Sequence, residues 1–264
     1  MTAPRPPHRL GDEQVESYLW RIGLDQPPSL DADGLRQLQV AHLDTVPFEN
    51  LDIHLGVPIV LDADAFVDKI AVRRRGGFCY ELNGAFASLL STLGFPTTLL
   101  EAQVPGPDGN LGIRFDHLCL RVDLDRSFLV DVGFGESFRA PLILEPGLEQ
   151  VDPAGTFTIV EHDPGSFDVE GPKEVLYRFS LEPHALQDFE SGCMFNQTSP
   201  DSHFTQRTVC SRPTPGGRVT ITGSTLIVTD GADRHMSHLS EAELLDAYRD
   251  RFGIELDRVP ASPT

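Results

Sequence analysis

The segment Arg73-Arg74-Arg75-Gly76-Gly77-Phe78-Cys79 brings a basic triplet, two glycines and a thiol together. From Cys79 onward, Leu82, Phe86, Leu89, Leu90 and Leu93 keep a helical period until Gly94-Phe95-Pro96, so Cys79 opens a helix. The positive end of a helix dipole and nearby guanidinium groups favour thiolate over thiol, and glycines let the backbone approach a bound molecule closely. The chemistry implied is nucleophilic attack by sulfur. The position also suits a small buried apolar residue at a loop–helix junction, but such a residue requires neither Gly-Gly before it nor arginines beside it.

A sulfur nucleophile that works on acyl groups needs a base, and the base needs a group to orient it. His117 begins the strand-like run HLCLRV, and Asp131 ends the next one, SFLVDV. The apolar Phe128-Leu129-Val130 ahead of Asp131 points to burial, unlike the settings of Asp116, Asp123 and Asp125. A buried aspartate takes a dedicated partner, either a histidine or a backbone amide. If the two strands pair antiparallel, an odd-length turn puts His117 opposite Asp131 on one face, whereas an even one separates them. An odd loop is therefore expected around Asp123 to Asp125.

The elements that must hold these groups follow from periodicity. After Asp12, the residues Val15, Tyr18, Leu19 and Ile22 fall at i, i+3, i+4 and i+7, with Gly23 as the stop. A second helix is predicted from about Asp33 through Leu35, Leu38 and Val46 to Pro47, and a third from Ala63 to Val72 with Phe66 and Ile70 inward. Beyond Pro96, short runs such as TTLLEAQV, HLCLRV, SFLVDV, TFTIV and EVLYRFSL, separated by turn clusters, predict antiparallel strands. A helix is expected from about Pro183 to Met194. RVTITGSTLIVTD predicts a hairpin around Gly223-Ser224, and Ser240 with Glu243 forms a capping box ahead of Leu244, Leu245, Tyr248 and Phe252, closed by Gly253. There is no internal repeat and no linker long enough to separate independent domains.

Composition removes several functions. With 264 residues and 40% hydrophobic content the chain can bury a core without disulfides or metal. A net charge of -19 repels phosphate backbones and anionic lipid, so nucleic acid and membrane surfaces are not expected partners. No segment reaches the roughly 18 apolar residues of a membrane span, and MTAPRPPHRLGDE lacks a signal-peptide core, so a cytoplasmic location is expected. The four cysteines form no Cys-x-x-Cys pair, which leaves a free thiol rather than a zinc site or disulfide framework. His235 and His238 lie in what reads as a polar loop without a third ligand, and no metal is expected. Gly133-Phe134-Gly135 lacks the spacing of a dinucleotide fingerprint and is read as a flexible or pocket-lining turn, and no serine sits in a Gly-x-Ser-x-Gly elbow.

Five motifs together resemble the bacterial arylamine N-acetyltransferases: VPFENLDIHLG, RGGFCYELN, FDHLCLRV, FLVDVGFG and SPDSHFTQRTVCSRPT, in that order from about Tyr18 to Thr214. The resemblance implies an α+β protein with an N-terminal helical bundle (1–95), a central antiparallel β-barrel (96–195), a C-terminal α/β lid (196–264) and a cysteine-protease-like core. It implies a Cys79, His117, Asp131 triad, and a pocket for acyl group and arylamine lined by Phe48, Tyr80, Gly133, Phe134 and Phe204. It further implies acetyl-CoA as cosubstrate, no tightly bound cofactor, and small-molecule partners, namely aromatic amines or hydrazines. Self-association is left open. Two rivals share the triad: an amide synthase of the same family that closes macrolactams, and a cysteine protease or transglutaminase.

Overall fold

In the computed structural model, which describes residues 6–261, the N-terminal third is helical, with α1 (Asp12–Arg21), α2 (Ala32–Thr45), α3 (Leu51–Leu55), α4 (Ala63–Val67) and α5 (Cys79–Thr92). Asp31 caps α2 by accepting from Gly34 N at 2.8 Å, and Asp62 caps α4 by accepting from Ala65 N at 2.9 Å. The helix expected over 63–72 has that extent, but its second half, Asp68–Val72, is a π-helical turn; Phe66 and Ile70 face inward as predicted. Every residue of α5 from Cys79 to Ser91 is buried. A helix buried on all sides needs packing partners all round, and α5 has them in α1 and α4 and in the strands that follow.

Those strands are β2 (Thr97–Gln103), β3 (His117–Asp123), β4 (Ser127–Val130), β5 (Leu142–Ile143), β6 (Glu149–Asp152), β7 (Gly155–Asp163), β8 (Ser166–Glu170) and β9 (Val175–His184). They pair antiparallel in the order β5-β4-β3-β2-β9-β8-β7-β6 around a core that includes Leu100, Cys119, Phe157, Tyr177 and Phe179. The two edges meet through one side chain. Gln150 on β6 accepts from Ile143 N at 2.7 Å and donates to Ile143 O at 3.0 Å, which nearly closes the sheet into a barrel.

The helix expected from Pro183 to Met194 begins later. Pro183 still belongs to β9, opposite Leu100 and beside a register shift where a residue without an N–H is tolerated. A short 3₁₀ turn, Leu186–Phe189, then leads into α6 (Glu190–Thr198), followed by α7 (His203–Gln206). The last part of the chain forms β10 (Val209–Thr214), β11 (Gly217–Thr222), β12 (Thr225–Asp230), β13 (Asp233–His238) and α8 (Glu241–Phe252). The hairpin turns at Gly223-Ser224 as expected, and Ser240 N donates to the Glu243 carboxylate at 2.8 Å in the expected capping box. β13 was not expected. Its residues DRHMSH carry no apolar alternation, yet they pair with β12 along an exposed edge. His235 and His238 thus lie in a strand, three residues apart, and so point to opposite faces.

One further strand comes from far away in sequence. β1 (Phe48–Glu49) pairs with β10, Phe48 across from Ser211, so the five-stranded sheet runs β1-β10-β11-β12-β13. The α+β class is as expected. No helix among the described residues is long and apolar enough to cross a membrane.

Candidate active site

α5 starts at Cys79 because the loop before it is pinned. A Cβ on Gly76 would stand 1.9 Å from the Pro47 carbonyl oxygen, and one on Gly77 2.7 Å from the Glu81 carboxylate. The two glycines therefore serve the packing of their own loop rather than the approach of a bound molecule. Phe78 N donates to Glu81 at 3.2 Å, which caps the helix at its third residue.

The arginine triplet also differs from expectation. Arg73 pairs with Asp68 at 2.9 Å on the surface, Arg74 lies over the Trp20 ring at 5.2 Å, and Arg75 reaches Glu49 at 2.8 Å and Asp52 at 2.9 Å. All three are engaged elsewhere, so the positive field at Cys79 comes from the helix end. Beneath the loop, Lys69 Nζ sits 2.7 Å from both Asp52 and Glu81, and the whole group is buried. A lysine in a helix ordinarily reads as a solvated face, which is why sequence reasoning passed over it.

β3 and β4 are joined by a three-residue loop, Leu124 to Arg126, with Asp123 level with Ser127 and Leu120 with Val130. The odd loop puts His117 and Asp131 on one face as predicted. The pairing is diagonal rather than directly opposite, because one step beyond the last pair Asp131 falls level with Cys119. His117 Nε2 and Asp131 Oδ2 lie 2.7 Å apart, with both side chains buried. The Asp131 Oδ1 atom accepts from Asn83 Nδ2 at 2.9 Å and from Gly133 N at 2.8 Å. Asn83 also donates to Leu118 O at 2.6 Å and accepts from Val132 N at 3.0 Å, so it ties α5 to the ends of both strands. Sequence reasoning missed Asn83. The available signal was an amide one helical turn after Cys79 in a mostly apolar helix.

With Nε2 committed to Asp131, the His117 ring has Nδ1 left for a second partner. The ring is wedged by Phe134 and Tyr177, at centroid distances of 5.3 and 5.0 Å. Burial pushes the Cys79 thiol well up, the Asp116 and Asp131 charges add to this, and the Leu118 N–H opposes them. A thiol held in this way ionises where a neighbouring imidazole takes its proton, giving a thiolate–imidazolium pair.

Cys79 and His117 line one cavity of about 490 Å³. Phe48, Gly133, Phe134 and Phe204 line it too, and the segment from Val104 to Ile113 supplies another wall. Tyr80 does not line it. It is fully buried, donates to Phe115 O at 2.7 Å and Asp116 O at 3.0 Å, and accepts from Asn196 at 3.0 Å, so it holds the loop that leads into His117. Gly133 is there for closeness, since a Cβ on it would stand 2.8 Å from Cys79 Cα. Phe115 adopts φ +60°, a left-handed conformation rare for a bulky residue, at this same loop. Among the described residues no cluster of three or more potential metal ligands occurs.

Comparison with known proteins agrees with this geometry. Residues 31–260 match the N-acetyltransferase family model, well beyond the Thr214 limit of the sequence resemblance. The chain is 37% identical to the arylamine N-acetyltransferase of Mycolicibacterium smegmatis, over 90% of this chain and 91% of that protein. Among solved structures, the arylamine N-acetyltransferase of Salmonella typhimurium superposes with a TM-score of 0.87 at 28% identity, covering 97% of this chain and 96% of the other. That of Mycobacterium marinum, solved in complex with CoA, gives 0.84 at 32% identity, covering 91% and 92%. With a barrel and helices arranged as in these enzymes, and a cysteine–histidine–aspartate site at the barrel rim, the chain belongs to the arylamine N-acetyltransferase family.

Proposed function

We propose that the protein moves an acetyl group from acetyl-CoA to the nitrogen of arylamines, arylhydrazines or N-hydroxyarylamines. Cys79 is the nucleophile, His117 the base and Asp131 its orienter, and Phe48, Phe134, Gly133 and Phe204 hold the acyl group and the acceptor. The observation that carries this is the common cavity of Cys79 and His117, with Asp131 on Nε2 of the ring.

His117 takes the Cys79 proton through Nδ1, and the thiolate attacks the thioester carbonyl of acetyl-CoA. Free N–H groups in the first turn of α5 stabilise the oxyanion. The tetrahedral adduct collapses, CoA departs with the proton from His117, and an acetyl-cysteine remains. The amine nitrogen then attacks that acetyl group while His117 accepts its proton, and the thiolate is restored. Asp131 keeps the imidazole in one tautomer throughout. In this division of labour residues 1–95 supply the nucleophile, 96–195 the histidine and aspartate, and 196–264 the lid bearing Phe204. Four unpaired, buried cysteines suit a reducing compartment, in keeping with a cytoplasmic location.

Mass spectrometry after exposure to acetyl-CoA without acceptor tests the central step. An adduct of about 42 Da is expected on Cys79, absent from a folded Cys79→Ala variant. Double-reciprocal plots at several amine concentrations should be parallel. Intersecting lines and no adduct would mean direct transfer. Turnover with free acetyl-CoA and a simple arylamine separates this function from macrolactam closure.

A further inference from the structure

A buried carboxylate lies where the barrel itself has no need of one. Glu101 stands in the middle of β2, level with Leu118 of β3, between Leu100 and Ala102, which both belong to the barrel core. It is 6% exposed, and the reaction described above does not use it. A buried acid keeps its charge only with dedicated partners. Those of Glu101 are consecutive residues: Oε1 accepts from Phe115 N at 3.0 Å and from Arg114 Nε at 2.9 Å, and Oε2 accepts from an amino group of Arg114. Burial opposes the charged form, but these bonds outweigh it and hold the carboxyl below its ordinary value.

Phe115 is the residue held at φ +60°. For a bulky side chain this conformation is strained, and it persists only where the surroundings over-determine it. Several contacts do so. Glu101 takes the Phe115 N–H, the Tyr80 hydroxyl donates to the Phe115 carbonyl oxygen at 2.7 Å, and the ring packs on His184 and Phe189 at 5.0 and 5.2 Å. Gly192 leaves room for the same carbonyl oxygen, since a Cβ there would stand 2.0 Å from it. Before Phe115 in the chain comes the 104–113 wall of the active-site cavity, closed at its neck by Gly112 N donating to Val104 O at 2.9 Å and Gln103 Nε2 donating to Gly112 O at 2.7 Å. After it come Asp116, whose carbonyl oxygen lies 3.8 Å from Cys79 Sγ, and His117. A change of φ at Phe115 turns one of these segments against the other, so the wall and the imidazole could not both keep their places.

We propose that Glu101 is a positioning residue for acetyl transfer: by binding the Phe115 amide it keeps the left-handed turn that sets Asp116 and His117 against Cys79. It touches neither donor nor acceptor and acts through the backbone. Arg114, whose side chain is 66% exposed, serves Glu101 in turn by matching its charge from the solvent side. This role rests on the acetyl-transfer reaction above and adds how the base is brought to the nucleophile.

Single-turnover acylation by acetyl-CoA, read as CoA release from the intact enzyme, tests this beside urea unfolding of the same variants. Glu101→Met fills the space without offering an acceptor, and it should slow acylation of the folded protein about tenfold as Phe115 relaxes out of its strained conformation. Glu101→Gln keeps an oxygen for the Phe115 amide and should retain most of the rate. Phe115→Gly, added to Glu101→Met, should restore acylation to within about threefold of wild type, because glycine holds a positive φ without strain. A carboxylate that only supported the barrel would not be relieved by a glycine 14 residues away. Unchanged acylation in folded Glu101→Met, or a loss that Phe115→Gly does not relieve, would overturn the proposal. If Glu101→Met does not fold, Phe115→Ala and Phe115→Gly with Glu101 in place decide the matter. Both lose the ring and only alanine keeps the strain, so the glycine variant should be the more stable and acylate at least as fast; a reversal in either measure would overturn the role. A wild type that acetyl-CoA does not acylate would remove the reaction itself, whatever the variants do.

Discussion

On one side of the α5 N-terminus Lys69 and Arg75 meet Glu49, Asp52 and Glu81; on the other, Cys79 faces a cavity shared with His117, whose ring is held by Asp131. Both groups are buried, and both depend on the same few residues of loop and helix. On the ionic side every charge has an opposite charge within about 2.9 Å, so nothing remains to react. On the catalytic side the polar atoms are matched in sequence, Asn83 to Asp131 to His117, which leaves one ring nitrogen over, while the Cys79 thiol has only a long contact to Asp116 O at 3.8 Å. Burial with complete pairing fixes a backbone, whereas burial with one group left over prepares a reaction. Glu81 stands at the junction, capping Phe78 N with one oxygen and holding Lys69 with the other.

The sharpest way to separate the two sides is to change each alone. Asp131→Asn is expected to slow acylation by about 10⁴-fold, the size of effect seen when a serine triad loses its aspartate charge. The reason lies in the geometry: Asn83 Nδ2 and Gly133 N both donate to Asp131, so a carboxamide there turns its own NH₂ toward His117 and favours the wrong tautomer. A variant keeping half the wild-type rate would show that another carboxylate orients the ring.

On the ionic side, Lys69→Met should cost about 3–5 kcal/mol of stability in urea unfolding, because it leaves Glu81 and Asp52 buried with less compensation. The activity of the molecules that remain folded should change little. A loss below about 1 kcal/mol would mean that the network does not hold the loop.

The smallest effect should come from Arg73→Ala. Arg73 and Asp68 are both more than half exposed, so their pair contributes less than about 0.5 kcal/mol, and the alkylation rate of Cys79 should not move. A slower alkylation would restore the basic triplet as an activator of the thiol.

The positions of Cys79, His117 and Asp131 were readable because each sits on an element with a strong local signal: a helix with a clear apolar period, and two strands joined by a short turn. Parity restricted the turn to odd lengths, and Leu124 to Arg126 meets that condition. The roles of the arginines and glycines were not readable. Their types suit an anion-friendly, open loop, but their tertiary partners, Asp52, Trp20 and Pro47, lie in other segments that no local pattern connects to them. Tyr80 was misread for a related reason. Its neighbour Cys79 faces the cavity, and adjacent residues on a helix point about 100° apart, which turns Tyr80 toward Asn196. β13 escaped notice because it is an edge strand exposed along its length, and a strand that buries nothing has no apolar alternation to detect.

The pairing of β1 with β10 has a consequence for how the protein is made. Asn50, just after β1, accepts from Val209 N at 2.7 Å and donates to Arg207 O at 2.8 Å and Phe204 O at 2.9 Å, which sets the Phe204 ring 6.0 Å from that of Phe48. On the ribosome, Cys79, His117 and Asp131 emerge well before residues 204–211. The nascent chain therefore acquires its thiol and imidazole before Phe204 can close against Phe48, a contact held by residues 154 apart in the sequence. Until then the Cys79 cavity lacks the wall that Phe204 and its neighbours Ser202 and His203 supply.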